Sequence, residues 1–231
     1  MEVSSLGIGV YSVPEAARMI GMNNQSLYRW LRGYEWKDRD EKARISEPLW
    51  TAQHKITDDG VFLGFRDLVE ARVVNALVKK GVSLQTIRLC LDRAQDLIGS
   101  EHPLSTKLFK TDGKGIFLQI TEGVDEPQLI NLKTRQGVFN TVVAPSLSGL
   151  EFDEMAARRW LLNTKKTIVA DPLKSFGQPV IDEYGITTSA LFSAVEAEGS
   201  IEIVASLYEI RKSAVSDAVL YESQMNGRSV H

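Results

Sequence analysis

Five side chains within nine residues carry the chemistry of this sequence: Asn24, Gln25, Tyr28, Arg29 and Arg32. Asn and Gln can pair in two places with adenine, Arg with guanine or a phosphate, and Tyr with a phosphate oxygen. At helical spacing the five share one face, while Leu27, Trp30 and Leu31 share the opposite one. The pattern predicts a helix that buries an apolar stripe and turns a base-reading, phosphate-gripping strip toward double-stranded DNA. The same polar residues would suit the solvated face of an ordinary helical hairpin, so the flanking elements decide. Trp30 falls in the stripe and reads as a core anchor.

A second helix must hold this strip at an angle. Ser12 and Glu15 have the spacing of a capping box, and Pro14 sits early enough to lose no hydrogen bond. Val13, Ala16, Ala17 and Ile20 then fall on one face, with two alanines that permit a close crossing. Gly21 ends the helix, because the residue just past it needs a left-handed backbone. Asn23 or Asn24 caps the next one at once. Two helices joined so tightly form a helix-turn-helix. Ser12 and Arg18, at either end of the first helix, join the DNA-binding candidates.

Composition limits what else the chain can be. Its 231 residues, 43% apolar, suffice for one large or two small domains. The net charge is −3; residues 1–100 hold 14 basic and 13 acidic side chains, residues 101–231 hold 13 and 17. DNA affinity must therefore come from local placement of charge and be salt-sensitive. The single cysteine, Cys90, forms no internal disulfide, suits a reducing cytoplasm and falls in an apolar helical stripe. There is no apolar run of about 18 residues and no signal-peptide pattern, so the expectation is a soluble, cytoplasmic protein without membrane contact.

Beyond Gly33, residues 34–48 are dense in charge and read as a solvated loop. Leu49 to Leu63 reads as a hairpin turning at Asp59-Gly60, either a wing whose basic members Arg39, Lys42, Arg44, His54 and Lys55 could lie against phosphates or a hairpin that only completes the core. Phe65 to Lys80 and Leu84 to Ile98 read as helices, the second capped by Ser83 and closed by Gly99. Residues 103–148 read as about four short strands, with hairpin signals at Asp112-Gly113 and Gln136-Gly137. Phe152 to Leu162 reads as a helix with paired charges, and Thr167 to Ala170 as a strand. Thr188 to Glu198, Ser200 to Tyr208 and Ser213 to Glu222 follow as three short helices sharing a core of Leu191, Val195, Ile203, Val204, Leu207, Val215 and Val219. His54, His102 and His231 are too scattered to suggest a ligand set, and no metal or cofactor motif occurs.

Helix-turn-helix, wing, helix, then a helix introduced by Gly-Val-Ser resembles the DNA-binding domain of MerR-type regulators, with Met22, Ser26 and Trp30 on its first motif and Gly64 to Ile98 as its later helix pair. Tyr28 stands where that family usually has arginine, and no long pairing helix follows Gly99. The last part is similar to the small domain, formerly of unknown function, of antitoxins encoded beside PIN-like toxins. Asp171, Pro172, Gly177, Pro179, Ile181, Ile186, Gly199, Ser200, Val204, Ala205, Tyr208, Ala218 and Tyr221 match it, and Gly185 replaces its arginine. Together the two halves resemble a VapB-like antitoxin of a VapBC type II pair.

That resemblance implies operator DNA and a metal-dependent, PIN-like ribonuclease toxin as partners, and a homodimer formed through the C-terminal domain. It implies no enzymatic activity. Arg228, in the polar tail, would reach the toxin's acidic site. The expected architecture is α+β and mainly α. It comprises a MerR-like winged helix-turn-helix domain (1–102), a small antiparallel sheet in the middle (103–150) and a C-terminal three-helix, helix-turn-helix-like domain (151–231). The alternative is a MerR-like, ligand-responsive transcriptional regulator that senses a small molecule through the middle sheet and has no toxin partner.

Overall fold

A computed structural model describes residues 7–37, 41–57, 60–128 and 135–227. Arg39, Asp58, Asp59, Arg228 and His231 lie outside the described residues, so the expected tail contact and the Asp59-Gly60 turn do too. The chain forms two compact units. One comprises residues 11–148 with 152–157; the other comprises 149–151 and 158–227, with residues 7–10 added.

In the first unit a short strand β1 (Tyr11–Ser12) pairs antiparallel with β4 (Phe62–Leu63). It leads straight into α1 (Val13–Ile20), whose first amides are capped when Glu15 N donates to Ser12 Oγ at 3.4 Å. Gly21 adopts φ 70° and ends the helix, as a left-handed residue should. After α2 (Asn24–Arg32) come β2 (Tyr34–Lys37) and β3 (Ala43–Ser46), an antiparallel hairpin. α3 (Phe65–Lys79) and α4 (Leu84–Ile98) lie where apolar spacing put them; Ser83 Oγ accepts from Thr86 N, and Gly99 closes α4 at φ 71°.

The hairpin that follows α2 is therefore β2–β3, drawn from the segment that reads as a solvated loop. Tyr34 and Trp36 alternate with Glu35 and Lys37 as a strand requires, but the dense charge masks it. Among the described residues between Leu49 and Gly60 the strand pairing is an isolated bridge, Thr57 to Gly60, and Phe62–Leu63 pairs with Tyr11–Ser12.

Residues 103–148 correct the expectation more sharply. They contain α5 (Lys107–Thr121), α6 (Arg135–Val138), a π-helical turn (Phe139–Val143) and α7 (Ala144–Ser146), with residues 129–134 outside the description. The expected middle sheet is thus helical where described. Phe109, Gly113, Ile116, Phe117 and Ile120 are buried at helical spacing along α5. Asp112 kinks the helix (φ −118°, ψ 17°) without turning it back. Gly113 serves packing, since a Cβ there would stand 3.0 Å from the Phe139 ring, which Phe109 and Phe117 also contact edgewise or tilted.

A buried polar network fixes this unit. The Asp67 carboxylate, fully buried, accepts from Trp50 Nε1 (2.9 Å), Gln53 N (3.0 Å) and Gly64 N (2.8 Å), and His102 Nε2 lies 2.8 Å away. One carboxylate thus caps α3 and ties the loop after the wing to it. Glu70, one turn on and equally buried, accepts from Ser105 N at 3.0 Å.

The second unit is built on a five-stranded sheet in sequential order: β5 (Leu150–Phe152), β6 (Ala157–Leu161), β7 (Ile168–Ala170), β8 (Pro179–Ile181) and β9 (Ile186–Thr187). The expected helix over Phe152–Leu162 is two of these strands. Its charges pair across the sheet rather than along a helix: Arg159 Nε donates to Glu151 at 2.6 Å and its Nη1 to Asp182 at 3.0 Å. Asp153 Oδ1 closes the intervening turn by accepting from Met155 N and Ala156 N.

Three helices complete the unit: α8 (Thr188–Glu198), α9 (Ile201–Leu207) and α10 (Lys212–Met225). They do not make a helical domain by themselves. Leu191, Val204 and Val215 share their core with Ile168 and Ile181 of the sheet, while Ile203 and Leu207, expected inside, are exposed. Among the described residues no helix is long and apolar enough to cross a membrane.

Candidate nucleic-acid interface

α2 begins where the Asn23 side chain accepts from Gln25 N (2.8 Å) and Ser26 N (3.2 Å), so Asn23, not Asn24, is the cap. That leaves the Asn24 side chain outward. Leu27, Trp30 and Leu31 are buried, and Asn24, Gln25, Tyr28, Arg29 and Arg32 are exposed in one strip. Trp30 is thus a core residue.

The two arginines are held by aromatic rings. The Arg32 guanidinium donates to Tyr28 Oη at 2.5 Å and lies 5.8 Å from the Tyr28 ring centre; Arg29 lies 5.2 Å over the Tyr34 ring. Tyr28 therefore orients Arg32 instead of simply awaiting a phosphate. Such contacts restrict long side chains before a ligand arrives and reduce the entropy lost on binding.

Tyr34 also joins helix to wing. In the β2–β3 register Tyr34 faces Ser46 and Trp36 faces Arg44, so Tyr34, Trp36 and Arg44 lie on one face of the hairpin. Arg29 stacks on that face, which makes it continuous with the polar strip of α2. The wing starts abruptly because Gly33 adopts φ 73°, ψ −177°; a Cβ there would meet Ser46 O at 2.4 Å. Its base is anchored by Arg88 Nη2 donating to Glu47 O at 2.6 Å and by Leu49 N donating to Trp30 O at 2.8 Å.

Of the remaining candidates, Arg18 is exposed at the end of α1 and borders a groove with Asn23, Ser26 and Lys79; Lys79 Nζ donates to Gly21 O at 2.9 Å. Ser12 is half-buried and engaged as the α1 cap. Lys55 sits in the loop after the wing, in a groove with Leu31, Trp50 and Gln95, rather than on the hairpin. Tyr34 and Trp36 are the members that sequence reading missed. Their alternation with Glu35 and Lys37, directly after a helix stop, was the available signal.

Residues 9–91 match a family described as "Putative DNA-binding HTH domain". The match covers α1, α2, the hairpin, α3 and the first half of α4, so the geometry above lies within the matched region. The whole chain is similar to "Putative antitoxin VapB45" of Mycobacterium tuberculosis, 28% identical over 223 residues, covering 92% of this chain and 93% of that one. Its fold is similar to the crystal structure of Rv2018 from Mycobacterium tuberculosis, with a TM-score of 0.68 and 25% identity over 90% of this chain and 96% of that one.

Proposed function

We propose that this chain is the antitoxin of a type II toxin-antitoxin pair, acting in the cytoplasm, that binds its own operator and neutralises a PIN-like ribonuclease. The observation that carries the DNA half is the unbroken surface from Asn24 through Arg29 and Tyr34 to Arg44, presented by a helix and a hairpin in the MerR-like order. The helix strip reads base edges while the wing and Arg18 grip the backbone. The antitoxin half is supported by end-to-end similarity to the chain described as "Putative antitoxin VapB45". The C-terminal unit provides the homodimer contact, the toxin contact, or both. A ligand-responsive regulator loses the sensing sheet expected of it, since residues 107–121 and 135–146 are helical.

The test has two arms. Electrophoretic titration with DNA from upstream of the gene, across a salt series, compares the chain with Arg29→Ala/Arg32→Ala. Affinity falls and the salt slope flattens by about one unit per lost phosphate contact; unchanged binding would remove α2 from the interface. Expression of the adjacent reading frame arrests growth, and co-expression of this chain restores it. An adjacent product that is harmless overturns the antitoxin half.

A further inference from the structure

An asparagine stands where the packing of α3 calls for an apolar residue. Asn75 is 8% exposed, and among the described residues its amide has no hydrogen-bond partner. An amide buried without a partner opposes folding, and in a native protein it marks a place where something else supplies the hydrogen bond. Asn75 is not sealed in. It lines an open groove of about 490 Å³ between the end of α1, the start of α2 and α3. Lys79, one turn further along α3, lines the same groove, and so do Arg18 of α1 and Asn23 and Ser26 of α2.

The lining selects a ligand by charge. Arg18 and Lys79 are exposed cations, and among the described residues no carboxylate lines the groove. The acids nearby do not offset them: α2 carries none, Asp67 and Glu70 of α3 are fully buried toward its start, and Glu15 of α1 lies outside the lining. Lys79 Nζ is positioned by its bond to Gly21 O at 2.9 Å, and an ammonium keeps two further donors. Asn23 Oδ1 already accepts two amides in capping α2, so donors dominate the groove.

We propose that this groove is a phosphate subsite: it seats one backbone phosphate of the operator, with Asn75, Lys79 and Arg18 as donors, so that α3 holds the duplex together with α2 and the hairpin. The proposal rests on the DNA reading above. A phosphodiester brings a full negative charge and several acceptor lone pairs, which two cations around a buried amide fit. Position favours DNA over an acidic protein partner. Ser26 follows Gln25 and stands one turn before Arg29, so the groove continues the polar strip of α2 sideways toward α3. A helix about 10 Å across that enters a major groove about 12 Å wide has its flanks against the bordering backbones.

The experiment measures the full chain against DNA from upstream of the gene by fluorescence anisotropy across a salt series, with a melting curve for each variant. Asn75→Leu keeps the buried volume and removes the unpaired amide, so it melts no lower than the unaltered chain while operator affinity falls about tenfold. Lys79→Gln lowers affinity and flattens the salt slope by about one unit. A packing role cannot separate stability from affinity in this way. If Asn75→Leu melts lower and Lys79→Gln binds unchanged, the asparagine serves packing and the subsite falls. If both variants bind like the unaltered chain while Arg29→Ala/Arg32→Ala does not, the groove lies off the duplex and the DNA reading stands. Variants that keep operator affinity but lose the complex with the adjacent gene's product assign the groove to a protein partner and overturn the proposal. So does inorganic phosphate that raises the melting temperature of the unaltered chain, but not of Asn75→Leu, when both bind the operator equally: the groove then takes a free anion. An unaltered chain that does not bind the DNA overturns the DNA reading and this subsite with it.

Discussion

Replacing Glu70 by glutamine should make the first unit more stable, and increasingly so as pH rises. Glu70 is fully buried in α3, and burial, the largest cause, pushes its pKa well above 4.5; nearby Asp67 pushes the same way, and amides from Ser105 and Leu104 oppose it. Among the described residues its Oε2 has no hydrogen-bond partner, as suits a neutral carboxyl. The native state therefore holds a proton that the unfolded chain releases above pH 4.5. Stability from this group is complete below that pH and is lost as pH rises through the folded-state pKa. The loss approaches about 1.4 kcal/mol per pH unit within that window. Glutamine keeps the acceptor for Ser105 N and cannot ionise. The difference in melting temperature between Glu70→Gln and the unaltered chain should thus widen by about 3 °C per kcal/mol for a chain of this size. Differential scanning calorimetry from pH 4 to pH 8 measures it. Parallel curves for the two proteins would refute the assignment of a protonated Glu70.

Two further substitutions test the interface geometry. Gly33→Ala places a Cβ against Ser46 O in a backbone region open essentially to glycine alone; it should cost about 1–3 kcal/mol in strain before any steric overlap and reduce operator binding, read by denaturant titration and gel shift. A full-strength Gly33→Ala protein would mean that the wing does not need this close approach. Tyr34→Ala removes the ring beneath Arg29; an exposed stack of this kind is worth about 0.5–1 kcal/mol, so operator affinity drops roughly two- to fivefold. Tyr34→Phe retains affinity, and equal losses in both variants would point to the hydroxyl instead of the stack.

Much of the amino-terminal site is legible in sequence because its signals are local. Ser12, Gly21, Asn23, Ser83 and Gly99 act within three or four residues of themselves, and caps and stops of that range do not depend on the rest of the chain. The face of α2 follows from its period, so Leu27, Trp30 and Leu31 could be set against the polar strip. The hairpin after Gly33 was harder. Its residues Tyr34, Trp36 and Ile45 are exposed, and an exposed strand leaves only weak alternation among charges.

The errors share one cause. Asp112-Gly113 reads locally as a turn, yet a fused aromatic cluster around Phe139 makes Gly113 a packing site inside a helix. Asp153, Glu154, Arg158 and Arg159 read locally as helix pairs, yet Arg159 finds Glu151 and Asp182 on neighbouring segments. Tyr11 pairs with Leu63 across 51 intervening positions, so the end of the hairpin expected over Leu49 to Leu63 finds its partner far away in sequence.

Sequence alone determined where α1 to α4 start and stop, which face of α2 is polar, and that any DNA affinity had to come from charge placed locally. Tertiary structure alone decided that Arg29 rests on Tyr34, that Asp67 gathers Trp50, Gln53, Gly64 and His102, and that Ile203 and Leu207 face outward. The division is physical. Capping and periodicity are written in neighbours along the chain, whereas the partner of a ring, a carboxylate or an apolar face is chosen by whatever distant segment the core brings beside it.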